Sequence, residues 1–279
     1  MLFESIYIGA YCIVLTAVLG LCMGSFLNCL AWRMTHGESI MRGRSHCVDC
    51  GHPLAARDLV PVISWLVSRG RCRYCGKHVS VRYPLTEIIC ACGYVSILLA
   101  YGLSAETIEL IAFFSVLLVL SLTDLDDYVI PNATIVAAIV IRLVYLVYGG
   151  LTGAFDLWPT LGWTLLNGVV VAVPVIILAL VMDRVLGRDS LGGGDVKLLF
   201  VAGLYFGWQQ CLFLLIVACI IGILFAFVGA RSDMTDKVEG GEEKASRPIP
   251  FGPAIAIACW IVMLVGSRAV EWYLGLFGI

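Results

Sequence analysis

Long uncharged apolar runs separated by short polar connections dominate the chain. The runs fall at about 6–31, 85–103, 107–123, 132–149, 161–182, 196–208, 210–230 and 251–274. Most approach or exceed the roughly 17–25 residues that an α-helix needs to cross a bilayer. The sixth is short and reads as tilted or partly re-entrant. The pattern predicts an all-α polytopic membrane protein of about eight transmembrane helices. It also predicts three parts: a first helix over 1–31, a polar loop over 32–84, and a seven-helix bundle over 85–279. The run at 232–247, SDMTDKVEGGEEKASR, has no apolar periodicity and reads as a flexible loop. No internal repeat is visible.

Composition agrees. Apolar residues make up 61% of the 279, charged residues 14%, and the mean hydropathy is +0.97, whereas a water-soluble domain is about a quarter charged. The first run has no basic segment before it, is long, and has no A-x-A site after it, so it is expected to persist rather than be cleaved as a signal.

The positions of the basic residues set an expected orientation. Of the 18 Lys and Arg, 16 lie in three regions: 32–84, around 184–197, and 231–247. With eight spans these regions share one face, and the positive-inside rule makes that face cytoplasmic. Both termini are then periplasmic. The net charge of −2 has no bearing on this. The sequon-like Asn132-Ala-Thr falls at the cytoplasmic start of a span, which argues against glycosylation.

Within the polar loop stand HCVDCGH at 46–52 and RCRYCGKH at 71–78. Cys47 and Cys50, then Cys72 and Cys75, form two C-x2-C pairs separated by 21 residues, one more than the usual upper spacing for a four-cysteine zinc site. Two residues between thiols let both sulfurs of a pair reach one ion, and two pairs complete a tetrahedron. Gly51 and Gly76 follow the pairs and suit tight turns. Two disulfides are the alternative, which a reducing cytoplasmic face disfavours. Arg44, Arg71, Arg73 and Lys77 can offset the charge of four thiolates around Zn²⁺. A nucleic-acid ribbon is a weaker reading, because topology already accounts for the basic residues. The expectation is a structural zinc clip for a loop too small to hold a core, with no nucleic acid as partner. The other eight of the 12 cysteines lie in apolar runs and read as small hydrophobes.

Carboxylates gather where apolar runs end. SLTDLDDYVIPN, at 121–132, places Asp124, Asp126 and Asp127 after the third run, and LGGGDVKLL, at 191–199, places Asp195 at the start of the sixth. Ionised groups at that depth are costly and mark function. On the eight-span reading, Asp124 and Asp195 lie at the same depth on different helices. Asp126 and Asp127 read as solvated loop acids. The glycines at 192–194 are not a phosphate loop, since G-K-[ST] does not follow. The residues alone leave two uses open for the pair: peptide hydrolysis by two carboxylates sharing a proton, or proton and ion transport.

These segments together resemble the type IV prepilin peptidases over nearly the whole chain. MGSFLNCLAWR at 23–33 is similar to the segment closing the family's first helix. The cysteine loop leads into R-Y-P-x-x-E at 82–87, as in the family. DLDDYVIPN resembles the first-aspartate motif, with Ile130-Pro131 after Asp124. GGGD fits G-x-G-D and assigns Asp195 as the second aspartate, and IPFGP at 249–253 resembles the last motif. Val48 stands where many members carry proline, and Met34-Thr35 replaces a common Leu-Pro. The related presenilin-type proteases carry a P-A-L motif that is missing here, and archaeal preflagellin peptidases lack the cysteine loop.

The resemblance implies a bacterial inner-membrane aspartic endopeptidase with Asp124 and Asp195 catalytic. It would remove the basic leader of prepilins or pseudopilins and N-methylate the new N-terminus from S-adenosylmethionine. No fingerprint for that donor is visible. Glu87 and Gly93, beside the cysteine loop, are candidates, with a simple Glu87–Arg82 pair as the alternative. The rival function is a proton- or ion-coupled carrier relaying through Asp124 and Asp195. A membrane-anchored zinc-ribbon binding module is a third, and it would survive loss of both aspartates.

Overall fold

A computed structural model describes residues 6–40, 43–187, 191–239 and 250–276. The chain divides into two compact units, Met1–Thr123 and Asp124–Ile279. Among the described residues, seven helices are long and apolar enough to cross a membrane. Bulky apolar side chains face outward along them, among them Val144, Trp163, Ile177 and Leu178, as helices that contact lipid require. The chain is a multi-pass helical membrane protein.

In the first unit, α1 (Ile6–Thr35) packs along α3 (Arg82–Tyr101). The backbones approach closely, since a Cβ on Gly20 would lie 2.5 Å from the Cα of Ala91 and one on Gly24 2.6 Å from that of Glu87. A buried hydrogen bond from Asn28 Nδ2 to Thr86 Oγ1, 3.0 Å, fixes the register. This gives the G-S-F-L-N segment a physical role as the face of α1 that docks on R-Y-P-x-x-E. The helix α4 (Ala105–Asp127) meets α3 through Phe114 against Gly93 and a 2.6 Å hydrogen bond between Tyr94 and Ser115. Tyr94, Ile97, Phe113, Leu117 and Leu120 form the buried core there. Between α1 and α3 lie the two cysteine turns, a one-turn 3-10 segment and the short α2 (Ile63–Val67).

The second unit holds α5 (Asn132–Leu151), α6 (Leu157–Leu186), α7 (Gly193–Glu239) and α8 (Gly252–Gly275). Helix α7 is broken at Gly207, whose φ of 74° and ψ of 166° belong to a region that is essentially glycine-only. The chain turns back there. Gly222, in the second arm, packs on Phe251 at the start of α8, whereas Gln210, near the break, lies against Gly266 far along α8. Asp195, at the start of the first arm, lies near Asp124, which bonds Gly252 at the start of α8. The start of the first arm and Gly222 of the second therefore both lie beside the start of α8, and the arms correspond to the sixth and seventh apolar runs. The first arm, 193–206, spans about 20 Å at 1.5 Å per residue, short of the ~30 Å hydrocarbon thickness.

Two boundaries differ from the expectation. Helix α4 continues to Asp127, so Asp124 lies one turn inside a helix rather than at the start of a loop. Helix α7 continues to Glu239, eight residues into the charged run read as a loop. Charged residues tolerate a helix that extends into water. Residues 240–247 of that run lie outside the described residues.

Candidate active site and metal centre

The starts of two helices come together around the acids of the second unit. Asp124 is buried, with 6% of its surface exposed. Its Oδ2 accepts the backbone N–H of Gly252, the first residue of α8, at 3.0 Å. The first N–H groups of a helix lack intrahelical partners, and the dipole there favours a negative charge. A Cβ at position 252 would stand 2.7 Å from the same oxygen, so a larger residue there would have to push the carboxylate aside.

Asp195 lies in the first turn of α7. Its N–H donates to the Gly192 carbonyl at 3.0 Å, and its carboxylate accepts the Gly192 N–H, a reciprocal cap. Gly194 packs on Ile130, where a Cβ would come within 2.9 Å of the isoleucine Cβ. The glycine run thus seats the start of α7 against the segment that follows Asp124. Lys197 Nζ donates to Asn132 Oδ1 at 2.9 Å and ties the starts of α7 and α5 together. Asp124 and Asp195 are within electrostatic reach of one another. Asp127 is exposed and Asp126 half-buried. Sequence reasoning noted IPFGP but assigned it no role, and Gly252 supplies one.

In the first unit the four loop cysteines converge. Their Sγ atoms all lie within 4.8 Å of one another, with Cys47 and Cys75 at 4.0 Å; four sulfurs at 2.3 Å from one Zn²⁺ would be about 3.8 Å apart. Each pair sits in the same kind of turn. Gly51 N–H returns to Cys47 O at 2.8 Å and Gly76 N–H to Cys72 O at 2.9 Å, with glycine φ values of 68° and 73°. Lys77 Nζ meets Asp49 Oδ1 at 2.9 Å and links the two turns. Arg73 reaches Asp58 at 3.1 Å, and Tyr74 also donates to Asp58.

The thiols are tuned unevenly. The backbone N–H groups of Cys75 and Tyr74 pull the Cys72 thiol down to about 7. Cys75, despite the Lys77 N–H that favours its thiolate, is held up at about 11 by desolvation and the sulfurs of Cys72, Cys50 and Cys47. Burial raises Cys47. Four crowded sulfurs do not all ionise unaided, and a divalent cation between them removes that obstacle. The cluster can hold a metal ion. All 12 cysteines are free, so the disulfide alternative is not what the structure adopts.

A cavity of about 440 Å³ opens beside this cluster, bounded by the end of α1, the loop and the start of α3. Glu87 lines it, with its Oε2 accepting the Val62 N–H at 2.7 Å and its carboxylate also bonded by Ser25. Gly93, the other candidate, faces the Phe114 ring and is not part of the cavity wall.

Comparison with known proteins bears on both centres. Residues 18–101 match the bacterial peptidase A24 N-terminal domain, and residues 111–227 match the type IV leader peptidase family. A prepilin leader peptidase/N-methyltransferase of Pseudomonas putida is 31% identical over 96% of both chains. The chain belongs to the type IV leader peptidase family. Proteins of the same name from Myxococcus xanthus and Bacillus subtilis are 33% and 29% identical. They cover 85% and 92% of this chain, and the matches take in 71% and 96% of their own lengths. No solved structure matches. The first matched region contains the cysteine cluster and the second contains both aspartates. This membrane protein is a peptidase of that family, and the matches lend the ion-carrier reading no support.

Proposed function

We propose that the protein removes the leader of type IV prepilins or pseudopilins at the cytoplasmic face of a bacterial inner membrane and then N-methylates the new N-terminal residue. In this reading both termini are periplasmic, residues 1–31 form a first membrane helix, 32–84 a zinc-clipped cytoplasmic loop, and 85–279 the peptidase bundle. The observation that carries it is the meeting of Asp124, Asp195 and the Gly252 N–H at the starts of α7 and α8.

Two carboxylates that feel one another's charge can share one proton. The ionised partner draws a proton from a water molecule while the protonated one donates to the scissile carbonyl. Water adds to the carbonyl carbon without a covalent bond to the enzyme, and the C–N bond then breaks as the leaving amine takes a proton from the dyad. The Gly252 N–H holds Asp124 in one orientation through this exchange, and the Gly192 cap does the same for Asp195. Asp124 and Asp195 are thus assigned as the catalytic residues.

Cys47, Cys50, Cys72 and Cys75 are assigned as ligands of one structural Zn²⁺. The donor set is all sulfur and leaves no open position for chemistry. S-adenosylmethionine would supply the methyl group to the new N-terminal amine, its sulfonium leaving as a neutral thioether and the amine giving up a proton. The partners are prepilin substrate and lipid, with no nucleic acid.

The deciding experiment incubates the purified protein with a prepilin and S-adenosylmethionine and weighs the product. A mature chain lacking its leader and heavier by one methyl group is expected. An intact prepilin, with ion or solute flux in vesicles, would instead favour a carrier.

A further inference from the structure

We infer that the cavity of the first unit, between the end of α1, the cysteine loop and the start of α3, is the binding site for S-adenosylmethionine. The inference rests on the methyl-transfer reading above. The volume, about 440 Å³, falls in the range of about 300–1,000 Å³ that small-molecule sites occupy and far exceeds what a metal ion fills. The cavity adjoins the metal box without coinciding with it. Cys47 and Cys72 touch it, while Cys50 and Cys75 do not, so it lies to one side of the four sulfurs.

The wall carries the chemistry that this donor needs. S-adenosylmethionine has a flat heteroaromatic base, a sulfonium cation and an amino-acid end. Trp32, Trp65 and Tyr83 line the cavity. Aromatic faces stack with a purine and attract a sulfonium as they attract other cations. The Trp65 ring is fixed by its Nε1–H, which donates to the Val79 carbonyl at 3.0 Å, and Trp32 is stacked on His36 with centroids 4.3 Å apart. Arg71 also lines it, and a guanidinium fork suits a carboxylate, whereas the Arg33 guanidinium in the same wall donates to the Ser39 and Gly43 carbonyls. Glu87 is a fixed acid in the wall, only 6% exposed, suited to a cation.

A second observation points to the same wall. The Val62 N–H holds Glu87 at 2.7 Å, and Val62 has φ of 59°. With ψ of −50°, this positive-φ turn is an outlier for a β-branched residue, and such strain concentrates at ligand clamps and active sites. The chain gives up an easier backbone at position 62 and thereby positions the acid at the cavity.

The test uses the full-length protein in detergent. Wild type is irradiated with S-[methyl-³H]adenosylmethionine and the labelled peptides are mapped. Binding of the donor is measured by calorimetry for wild type and for Ser64→Phe, which places a ring into the cavity from α2. The label is expected within 25–87. Ser64→Phe should weaken binding at least tenfold while prepilin cleavage stays within about twofold of wild type. Label outside 25–87, or unchanged binding in Ser64→Phe, would overturn the location and leave methyl transfer standing. Wild-type protein that cuts prepilin but binds no donor would overturn both. If Ser64→Phe fails to fold, the wild-type label alone decides.

Discussion

Gly252 and Asp124 form a contact that any Cβ at position 252 would disturb: the glycine N–H reaches Oδ2 at 3.0 Å, and a Cβ would stand 2.7 Å from that oxygen. The two residues are 128 positions apart. The contact joins the last turn of α4 to the first turn of α8 and brings an N–H donor and a helix dipole to a buried acid.

Gly252→Ala should therefore act on chemistry more than on folding. Either the carboxylate moves away from the N–H or the start of α8 shifts. Misplacing a reacting group by about 1 Å can cost on the order of 10²-fold in rate. Prepilin cleavage is expected to fall by about that factor while expression and thermal stability in detergent stay close to wild type. A variant with full activity would show that Gly252 does not position Asp124.

Loss of either acid should be more severe. A dyad works as a unit, so Asp124→Asn and Asp195→Asn should each reduce leader cleavage almost to background, and combining them should cost little more. Asparagine keeps the shape and hydrogen bonding but cannot exchange the proton. Asp127→Asn, at an exposed position, and Asp126→Asn should retain most activity. The pH profile of cleavage should be bell-shaped, with limbs that belong to the pair. Near wild-type cleavage by either single dyad variant, correctly inserted, would rule out an aspartic mechanism.

Much of this was legible in the sequence because lipid imposes a long, simple signal. Runs such as 132–149 and 251–274 became α5 and α8 with ends displaced by only one or two residues. The cysteine cluster was legible because a metal site has a local spacing. Features that depend on tertiary pairing were not. The sixth and seventh runs could be separated at Gln209, but nothing in the sequence showed that Gly207, with its φ of 74°, carries the reversal. IPFGP could be noticed as a motif, but its glycine has meaning only once α8 meets Asp124. Glu87 could be listed, but the cavity it faces is built from residues as far apart as Ser25 and Glu87.

The Gly207 break gives a stability prediction. Its backbone lies in a region that costs a residue bearing a Cβ about 1–3 kcal/mol. Space is not the obstacle, because the nearest atom to a Cβ there would be Asn167 Nδ2 at 3.6 Å. Gly207→Ala should lower thermal stability in detergent by an amount of that order. It should also lower activity in proportion to the unfolded fraction rather than through a changed pH profile. An unaltered melting temperature would mean that the turn tolerates an L-residue.

Orientation can be checked directly. With 16 of 18 basic residues in three regions, the positive-inside rule predicts that position 60 faces the cytoplasm and both termini face the periplasm. A cysteine introduced at Val60 should resist a membrane-impermeant maleimide applied to intact spheroplasts and react after lysis. Labelling before lysis would reverse the orientation.

The metal prediction follows from how unevenly the four thiols hold their protons. Cys72 ionises at about 7, whereas Cys75 is held at about 11 and Cys47 also lies above its ordinary value. In neutral buffer the metal-free cluster thus still carries protons on Cys47 and Cys75, and a cation that binds all four sulfurs must displace them. Binding should release at least two protons per ion, and affinity should rise steeply with pH and collapse in mild acid. The depressed Cys72 works in the same direction: its thiolate is fully available above its unfolded value and is lost as pH falls through about 7. Metal analysis of protein purified near pH 8 should give about one Zn²⁺ per chain. Cys47→Ser combined with Cys50→Ser should abolish it and expose the loop 32–84 to protease. Zinc retained in that double variant, or a Cys47–Cys50 or Cys72–Cys75 disulfide in rapidly quenched cells, would show that the four sulfurs do not serve one ion.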